Sequence, residues 1–158
     1  MKLSLHIRKL KAADMDACIA LFQNTVHVIN ARDYTQSQLN AWAPPTVDKK
    51  RWESLLKNIA YVAEYEGQIV GFGDITHQGY FDRLFVHKDF QRKGVASALI
   101  QKLEEEAKEI GIKEINAEIS ITAKPLAEAF GYHVSKQQIK EINGEKLINF
   151  VMIKKLCS

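Results

Sequence analysis

The sequence predicts a single α/β domain built around one central sheet. Strand patterns and helix patterns alternate along the chain in the order β-α-α-β-β-β-α-β-α-β-β. Two pairs of strand patterns flank short turns, which is typical of antiparallel hairpins. No repeat, linker or low-complexity segment interrupts this order, so we expect residues 1–158 to form one domain.

The first part of the chain predicts one strand and a helical region. Apolar and polar residues alternate over residues 3–7, which indicates a strand. Asp14 is a candidate N-cap for a helix with an apolar stripe, which consists of Met15, Ile19, Phe22, Val26 and Ile29. Thr35 and Gln38 have the spacing of a capping box for a short second helix. Thr46 is a candidate start of another helix over residues 46–56.

The middle of the chain predicts a hairpin, a further strand and a long helix. Residues 59–66 and 69–76 are strand patterns on either side of Gly67-Gln68, and residues 80–86 predict the next strand. A long amphipathic helix follows, and Gly111 is a candidate left-handed residue at its end. The apolar stripe of this helix is Val95, Leu99, Leu103, Ala107 and Ile110.

The last part predicts a strand, a short helix and a final hairpin. Residues 112–119 have a strand pattern, and residues 122–130 predict a short helix that ends at Gly131. Residues 132–141 and 147–153 are strand patterns around Asn143-Gly144, a strong turn signal.

Composition narrows the possible functions. The chain has 46% hydrophobic and 26% charged residues, so it can bury a core of globular proportions. A net charge of +3 is consistent with an anionic small ligand but is too weak to indicate nucleic acid. The two cysteines, Cys18 and Cys157, indicate neither a disulfide framework nor a metal site, so we expect a reduced cytoplasmic protein. No signal peptide or membrane span is predicted.

Residues 84–103 have the pattern of an anion site, because an apolar strand is followed by a polar turn and an amphipathic helix. Backbone N–H groups at a helix start lack intrahelical partners and lie at the positive end of the helix dipole. Residues 91–97 can therefore surround a phosphate, and Gly94 allows a close approach since it has no Cβ. The spacing fits neither a Walker A loop nor a dinucleotide fingerprint.

Two motifs resemble the signatures of the GCN5-related N-acetyltransferases (GNAT). Gln91-x-x-Gly94-x-Ala96 is similar to the family's pyrophosphate loop, and Ser120-x-x-Ala123-x-x-Leu126-Ala127-x-x-x-Gly131-Tyr132 is similar to its second signature. The resemblance covers about residues 59–156. It implies the GNAT fold, a mixed and mostly antiparallel central sheet that splays between strands 4 and 5, with flanking helices.

The resemblance implies acetyl-coenzyme A as cosubstrate and no metal. The strand before the loop would pair its backbone with the pantetheine arm, and the Leu84 N–H would polarise the thioester carbonyl. Ser120 occupies a position that can hydrogen-bond the cofactor, although a turn-forming role without a ligand is an open alternative. The implied cofactor-binding residues are Leu84, Phe85, Val86, Gln91, Arg92, Lys93, Gly94, Val95, Ala96, Ser97 and Ser120.

The implied reaction is acyl transfer to an amine, which needs a proton acceptor and a proton for the leaving thiolate. Tyr80 and Asp82 are the catalytic candidates beside Leu84, and two-residue spacing places them on one face of a strand. A salt bridge with Arg83 is the alternative role for Asp82. Ala127 stands where many relatives have a tyrosine that acts as the general acid. Three alternatives follow: another group protonates the sulfur, solvent does so, or the chain is not an efficient enzyme.

The acceptor side is defined only by the resemblance. His27, Tyr34 and Trp42 lie in the helical part that shapes the acceptor pocket in this family, and a packing role is the alternative for His27 and Trp42. His87 is expected to shape the turn into the phosphate loop. The acceptor would be a small-molecule, peptide or protein amine. We expect no nucleic acid or membrane partner, and the sequence leaves open whether the chain forms a homodimer. The competing functions are a coenzyme A-binding regulatory module with little turnover and a purely structural interaction domain.

Overall fold

The computed structural model describes residues 3–156, so the expected thiol of Cys157 lies outside the described part. Seven strands and six helices follow one another, with short 3-10 turns at Ala12–Asp14 and Asn30–Arg32. Their bounds in chain order are β1 His6–Lys9, α1 Met15–Ile29, α2 Gln36–Trp42, α3 Lys49–Trp52, α4 Ser54–Lys57, β2 Ile59–Tyr65, β3 Gln68–Ile75, β4 Phe81–Val86, α5 Val95–Glu109, β5 Glu114–Ser120, α6 Lys124–Ala129, β6 His133–Ile142 and β7 Glu145–Lys155.

The strands form two antiparallel sheets that meet at one point. The first sheet has the order β1-β2-β3-β4 and the second the order β5-β7-β6. Tyr80 and Asn116 form an isolated parallel β-bridge at this point. The Asn116 N–H donates to the Gly79 carbonyl at 3.0 Å. Beyond this point β4 and β5 belong to different sheets, which confirms the predicted splay between strands 4 and 5.

Two hydrophobic clusters cover the opposite faces of the first sheet. On one face α5 buries Val95, Leu99 and Leu103, which are at most 1% exposed. On the other face α1 packs on the sheet through Phe22 and Val26. Each fully buried aliphatic side chain contributes about 1.5–3 kcal/mol. These two layers fix α5, and with it the loop at its N-terminus, against β3 and β4.

The capping of two helical segments differs from the prediction. Asp14 lies at the predicted N-cap position of α1, but its side chain does not cap the helix, because its carboxylate accepts from the Lys11 N–H at 2.8 Å and from the Arg8 guanidinium at 2.8 and 2.9 Å. Asp48, and not Thr46, caps the third helix, since its carboxylate accepts from the Lys50 N–H at 3.0 Å. Several polar residues near a helix start compete for the same N–H groups, and local pattern does not decide between them.

Other local predictions have mixed outcomes. The capping box of Thr35 and Gln38 is confirmed. The first hairpin turns at Glu66-Gly67, one residue earlier than predicted, because these two residues take the positive φ angles of 51° and 79°. Ile110 is 53% exposed and does not belong to the buried stripe of α5. It follows the last helical residue, where the chain turns away from the core.

None of the helices within residues 3–156 is long and apolar enough to cross a membrane. The same residues contain no cluster of three or more His, Cys, Asp or Glu side chains that could hold a metal ion.

Candidate active site

A cleft of about 820 Å³ opens where β4 and β5 diverge. Residues of both hydrophobic clusters line it, which gives it two sides. Val95, Ala127 and Tyr132 belong to the cluster around α5 and α6. Tyr34 and Leu147 belong to the cluster around α1 and α2. We call these the α5 side and the α1 side of the cleft.

All the residues predicted to be catalytic, to bind the cofactor or to bind the acceptor line this cleft except Lys93 and His27. His27 instead lies beside a smaller recess with Pro44, where its Nε2 is 2.7 Å from the Ala43 carbonyl. The predicted residues that line the cleft are Tyr34, Trp42, Tyr80, Asp82, Leu84, Phe85, Val86, Gln91, Arg92, Gly94, Val95, Ala96, Ser97 and Ser120.

The loop before α5 presents backbone donors to the cleft. Gly94 has a φ of 86° and precedes the first helical residue, and Arg92 also has a positive φ of 60°. The Gln91 side chain donates to the Val86 carbonyl at 2.8 Å and holds the loop against the end of β4. The Ala98 N–H donates to the Gly94 carbonyl, so the N–H groups of residues 95–97 precede the α-helical hydrogen bonds. Their free donors and the helix dipole favour an anion.

The open edge of β4 carries backbone groups that do not pair with β3. The His87 N–H donates to the Val70 carbonyl of β3 at 2.8 Å. The backbone N–H and C=O groups of successive residues point to opposite sides of a strand. Those of Phe85 therefore also face β3, whereas those of Leu84 and Val86 face the gap. The Val86 carbonyl accepts from the Thr25 hydroxyl at 2.9 Å. The Leu84 N–H is therefore the backbone donor directed into the middle of the gap.

A bulge at Asp82 changes the geometry that strand spacing predicted. Asp74 pairs with Arg83 and Ile75 with Phe81, so Asp82 has no opposite residue on β3. The Arg83 guanidinium donates to the buried Asp74 carboxylate at 2.7 Å, and its Nη1 lies 3.3 Å from Asp82 Oδ2. The salt bridge considered for Asp82 is present, and its side chain stays 32% exposed at the cleft.

Glu118 is a candidate that the sequence reasoning missed. Its carboxylate accepts from Lys140 at 2.9 Å, from Gln138 at 2.8 Å and from the Tyr80 hydroxyl at 3.5 Å. Burial raises the pKa of Glu118, but the hydrogen bonds from Lys140, Gln138 and Tyr80 together lower it below its ordinary value. Glu118 thus stays ionised in the cleft. Glu118 lies two residues before Ser120 on β5, so the two side chains share one face of the strand. This spacing could have identified Glu118 from the sequence.

Tyr80 has the properties of a hydrogen-bond donor and not of a base. Burial raises the pKa of its phenol, and the nearby charges of Glu118 and Asp82 raise it further. Tyr80 therefore stays protonated near neutral pH, with a carboxylate on either side.

Ser120 and Tyr34 hold the turn after β5. The Ser120 hydroxyl accepts from the Ala123 N–H at 3.1 Å, which is the turn-forming role considered from the sequence. The Tyr34 hydroxyl donates to the Ile148 carbonyl at 2.7 Å and accepts from the Ile121 N–H at 2.9 Å. Its ring contacts Trp42 at a centroid distance of 5.7 Å. Tyr34 therefore provides the wall of the cleft with its ring, while its hydroxyl is occupied.

The α6 part of the cleft lacks an available phenol. Ala127 is 8% exposed and lines the cleft. The neighbouring Tyr132 hydroxyl donates to Glu104 at 2.8 Å, and burial raises the pKa of this phenol. Tyr132 therefore does not replace the tyrosine expected at position 127.

Comparisons with known proteins agree with this geometry. Residues 30–154 match the family model described as Acetyltransferase (GNAT) domain. The chain is 36% identical over 151 residues to YafP of Escherichia coli (strain K12), described as an uncharacterized N-acetyltransferase, and the match covers 94% of this chain and 95% of YafP.

Two solved structures are also similar. A GCN5-related N-acetyltransferase from Rhodopseudomonas palustris has a TM-score of 0.93 at 27% identity, with 98% of each chain covered. The PaiA N-acetyltransferase of Thermoplasma acidophilum, solved in complex with coenzyme A, has a TM-score of 0.76 at 18% identity, with 97% of this chain and 99% of that chain covered. The second likeness concerns the fold alone.

Proposed function

The chain belongs to the GNAT acetyltransferase family, and on this premise we propose that it is an N-acetyltransferase. It moves an acetyl group from acetyl-coenzyme A to an amine by direct attack in a ternary complex. The single observation that carries the proposal is the cleft itself. One continuous space joins the free N–H groups before α5, the unpaired edge of β4 and two carboxylates on opposite strands.

The α5 side of the cleft holds the donor. The backbone N–H groups of residues 94–97 bind the pyrophosphate, and Arg92 adds positive charge at the same loop. The pantetheine arm lies along the open edge of β4 and accepts and donates hydrogen bonds there like an added strand. Ser120, on the facing end of β5, keeps its hydroxyl proton free for the cofactor while its oxygen holds the turn.

The Leu84 N–H stabilises the charge that develops on the thioester oxygen. The amine nitrogen attacks the carbonyl carbon, a C–N bond forms, and the oxygen becomes negative in the tetrahedral intermediate. A fixed backbone donor in a water-poor gap favours this intermediate over the neutral carbonyl. The C–S bond then breaks and coenzyme A leaves as its thiolate.

Glu118 and Asp82 act on the acceptor amine. An alkyl ammonium with a pKa of ~10 must lose a proton before or during attack. Glu118 stays ionised in the cleft and faces Tyr80, with Asp82 on the other strand. We assign proton transfer, directly or through water, to Glu118 and ammonium binding to Asp82. Because Ala127 has no proton to give, the thiolate takes its proton from water.

Steady-state kinetics with free-thiol detection tests this proposal. Release of coenzyme A should depend on the presence of an amine, and one acetylated amine should form for each thiol. Initial rates at varied concentrations of both substrates should give intersecting reciprocal plots, as a ternary complex requires. Parallel plots would contradict direct attack and indicate a covalent acetyl-enzyme.

A coenzyme A-binding regulatory module is the second candidate, and Ala127 is the observation that favours it. Such a module would bind acetyl-coenzyme A with the same loop but transfer no acetyl group to any amine. Calorimetry and the thiol assay on one preparation separate the two functions, since both require binding and only the enzyme requires turnover.

A further inference from the structure

Asn30 is a buried polar residue without a partner for its side chain. It is 6% exposed, lines the cleft, and makes no side-chain hydrogen bond within residues 3–156. Its backbone carbonyl accepts from the Asp33 and Tyr34 N–H groups, so only the backbone has a structural role. Because Asn30 lines the cleft, its unpaired amide is available to a ligand that binds there.

Asn149 is a second amide of this kind. Its Oδ1 is buried and has no hydrogen-bond partner, and the residue lines the same cleft opposite Ser120.

Tyr34 joins the two amides on the α1 side of the cleft. Its backbone N–H donates to the Asn30 carbonyl at 3.2 Å, and its hydroxyl donates to the Ile148 carbonyl, next to Asn149, at 2.7 Å. One side chain therefore spans the distance between the two positions. Asn149 lies two residues after Leu147 on β7, so its side chain shares the face of Leu147, which belongs to the α1 side of the cleft.

Arg32 adds a cation at the same place. It lies on the 3-10 turn that begins at Asn30, lines the cleft, and is 69% exposed. Its Nε is 3.4 Å from Asp33 Oδ2, and Asp33 is held in turn by the Thr122 hydroxyl at 2.8 Å. The two terminal nitrogens of the guanidinium make no hydrogen bond within the described residues. A planar fork of this kind fits a carboxylate.

Apolar surface lines the same cleft. Trp42 and Phe85 contact each other at a centroid distance of 6.5 Å and line the cleft together with Leu147. The cleft therefore offers a ligand a cation, two amides, apolar surface and the Glu118 carboxylate.

We propose that the α1 side binds an acceptor of the α-amino acid class, namely a primary amine with a carboxylate on the adjacent carbon and an apolar side chain. The amine faces Glu118, the carboxylate binds Arg32 and the amides of Asn30 and Asn149, and the side chain packs on Trp42 and Phe85. A polyamine fits poorly, because its second ammonium would meet Arg32. This inference rests on the proposed acetyl transfer.

A matched set of acceptors tests the carboxylate. Phenylalanine, phenylalaninamide and phenethylamine share one apolar body, and only the first carries the anion. The ammonium group of phenylalaninamide has a lower pKa than that of phenylalanine, so a larger fraction of phenylalaninamide is free amine near neutral pH. The concentration of the free amine alone would therefore favour phenylalaninamide. We expect phenylalanine to have a kcat/KM at least about tenfold above both analogues, and spermidine to be a poor substrate.

Two variants assign the preference to the residues. Arg32→Gln should reduce the preference for phenylalanine about tenfold by raising its KM, with little effect on phenethylamine. Asn149→Leu should have a similar effect and equal or higher thermal stability, since it removes an unpaired amide. A merely structural role for Asn149 predicts lower stability instead. Arg51→Gln is the control, because Arg51 is exposed and does not line the cleft.

Binding measurements keep this inference separate from the proposed function. Calorimetric titration of the coenzyme A complex with phenylalanine and phenethylamine should show the same preference without any reaction. Transfer to amines without a preference for phenylalanine, or a preference unchanged in both variants, would overturn the inference alone. Absence of transfer to every amine would overturn the enzyme, and equal binding of the two ligands would then reject the acceptor class as well.

Discussion

Glu118 and Lys140 form an ion pair of 2.9 Å across the second sheet, from the outer strand β5 to the outer strand β6, and Tyr80, the residue before β4, contacts the same carboxylate. Burial alone would raise the pKa of Glu118, so Lys140 and its neighbours keep the carboxylate ionised. The ion pair thus links the junction of the two sheets to the proton-transfer step that we assign to Glu118.

Replacing Lys140 should shift the pH dependence of the reaction. Lys140→Gln removes a hydrogen bond and a positive charge that lower the pKa of Glu118, while burial remains. The pKa of Glu118 should therefore rise, and the acid limb of the kcat/KM profile should move to higher pH. The acceptor's own pKa is common to both proteins and cancels in the comparison. Lys136→Gln, an exposed change on the same strand, should leave the profile unmoved.

Neutralising the two carboxylates separately distinguishes their roles. Glu118→Gln should lower kcat about 10²-fold or more with little change in coenzyme A affinity, because the amide keeps the shape but cannot accept the proton. Asp82→Asn should act mainly on the KM of the acceptor. Rates for both variants over a range of amine concentrations provide the measurement. If Asp82→Asn lowers kcat more than Glu118→Gln, the two assignments must be exchanged.

Gly94→Glu should abolish binding of acetyl-coenzyme A, because the side chain places negative charge where we propose that the pyrophosphate binds. Gly111→Glu is a matched control at the other end of α5, since the φ angles of the two glycines are 86° and 87°. A Cβ at Gly111 meets nothing within 4 Å, so its variant carries the backbone strain without blocking the cleft.

Calorimetry and melting curves on these variants give the result. Both should lose stability, but only Gly94→Glu should lose the cofactor. Cofactor at one hundred times its Kd should stabilise the wild type and Gly111→Glu by about 2.7 kcal/mol. Unchanged affinity in folded Gly94→Glu would remove the phosphate site from this loop.

Ala127→Tyr should increase turnover by about tenfold or less. The new phenol can protonate the departing sulfur, but a thiol with a pKa of ~8.5 already leaves as a tolerable thiolate. Ala127 is nearly buried, so the ring must occupy space in the cleft. Ala127→Phe is the control for size without the hydroxyl, and an equal kcat in the two variants would count against a proton-donating role at this position.

Asp14 should make stability depend on pH. The hydrogen bond from Arg8 lowers the pKa of the Asp14 carboxyl below its ordinary value of 3.8, despite burial. A carboxyl whose pKa is lower in the folded state than in the unfolded state stabilises the fold at pH values above its unfolded-state pKa. This stabilisation is lost as the pH falls through the folded-state pKa. Asp14→Asn should therefore cost about 2 kcal/mol near neutral pH, since it weakens a charge-assisted pair.

Urea denaturation at several pH values tests this dependence. The difference between the wild type and Asp14→Asn should shrink below about pH 4. Asp16→Asn is the control, because the Asp16 side chain is 81% exposed and its ion pair is worth little. A difference that persists unchanged at low pH would show that the carboxylate charge is not responsible.

The order of elements and the phosphate loop were predictable because each depends on neighbours in the chain. Apolar stripes three and four residues apart predict α1 and α5, and Asn143-Gly144 predicts the last hairpin, which is observed. The positive φ of Gly94 follows from the same local logic, since the loop must turn sharply into the helix. These features need no contact between distant segments.

The tertiary structure decided which polar side chains share the cleft. Glu118 and Lys140 are 22 residues apart, and Asn30 and Asn149 lie near opposite ends of the sequence. Strand pairing between β5, β7 and β6 brings the first pair together, and the hydrogen bonds of Tyr34 connect the second. No local pattern encodes such pairs, because charge and hydrogen bonding act across space after the sheets have formed. The sequence by itself thus determined the family and predicted the loop that we propose binds the donor, whereas folding determined which polar side chains line the proposed acceptor side.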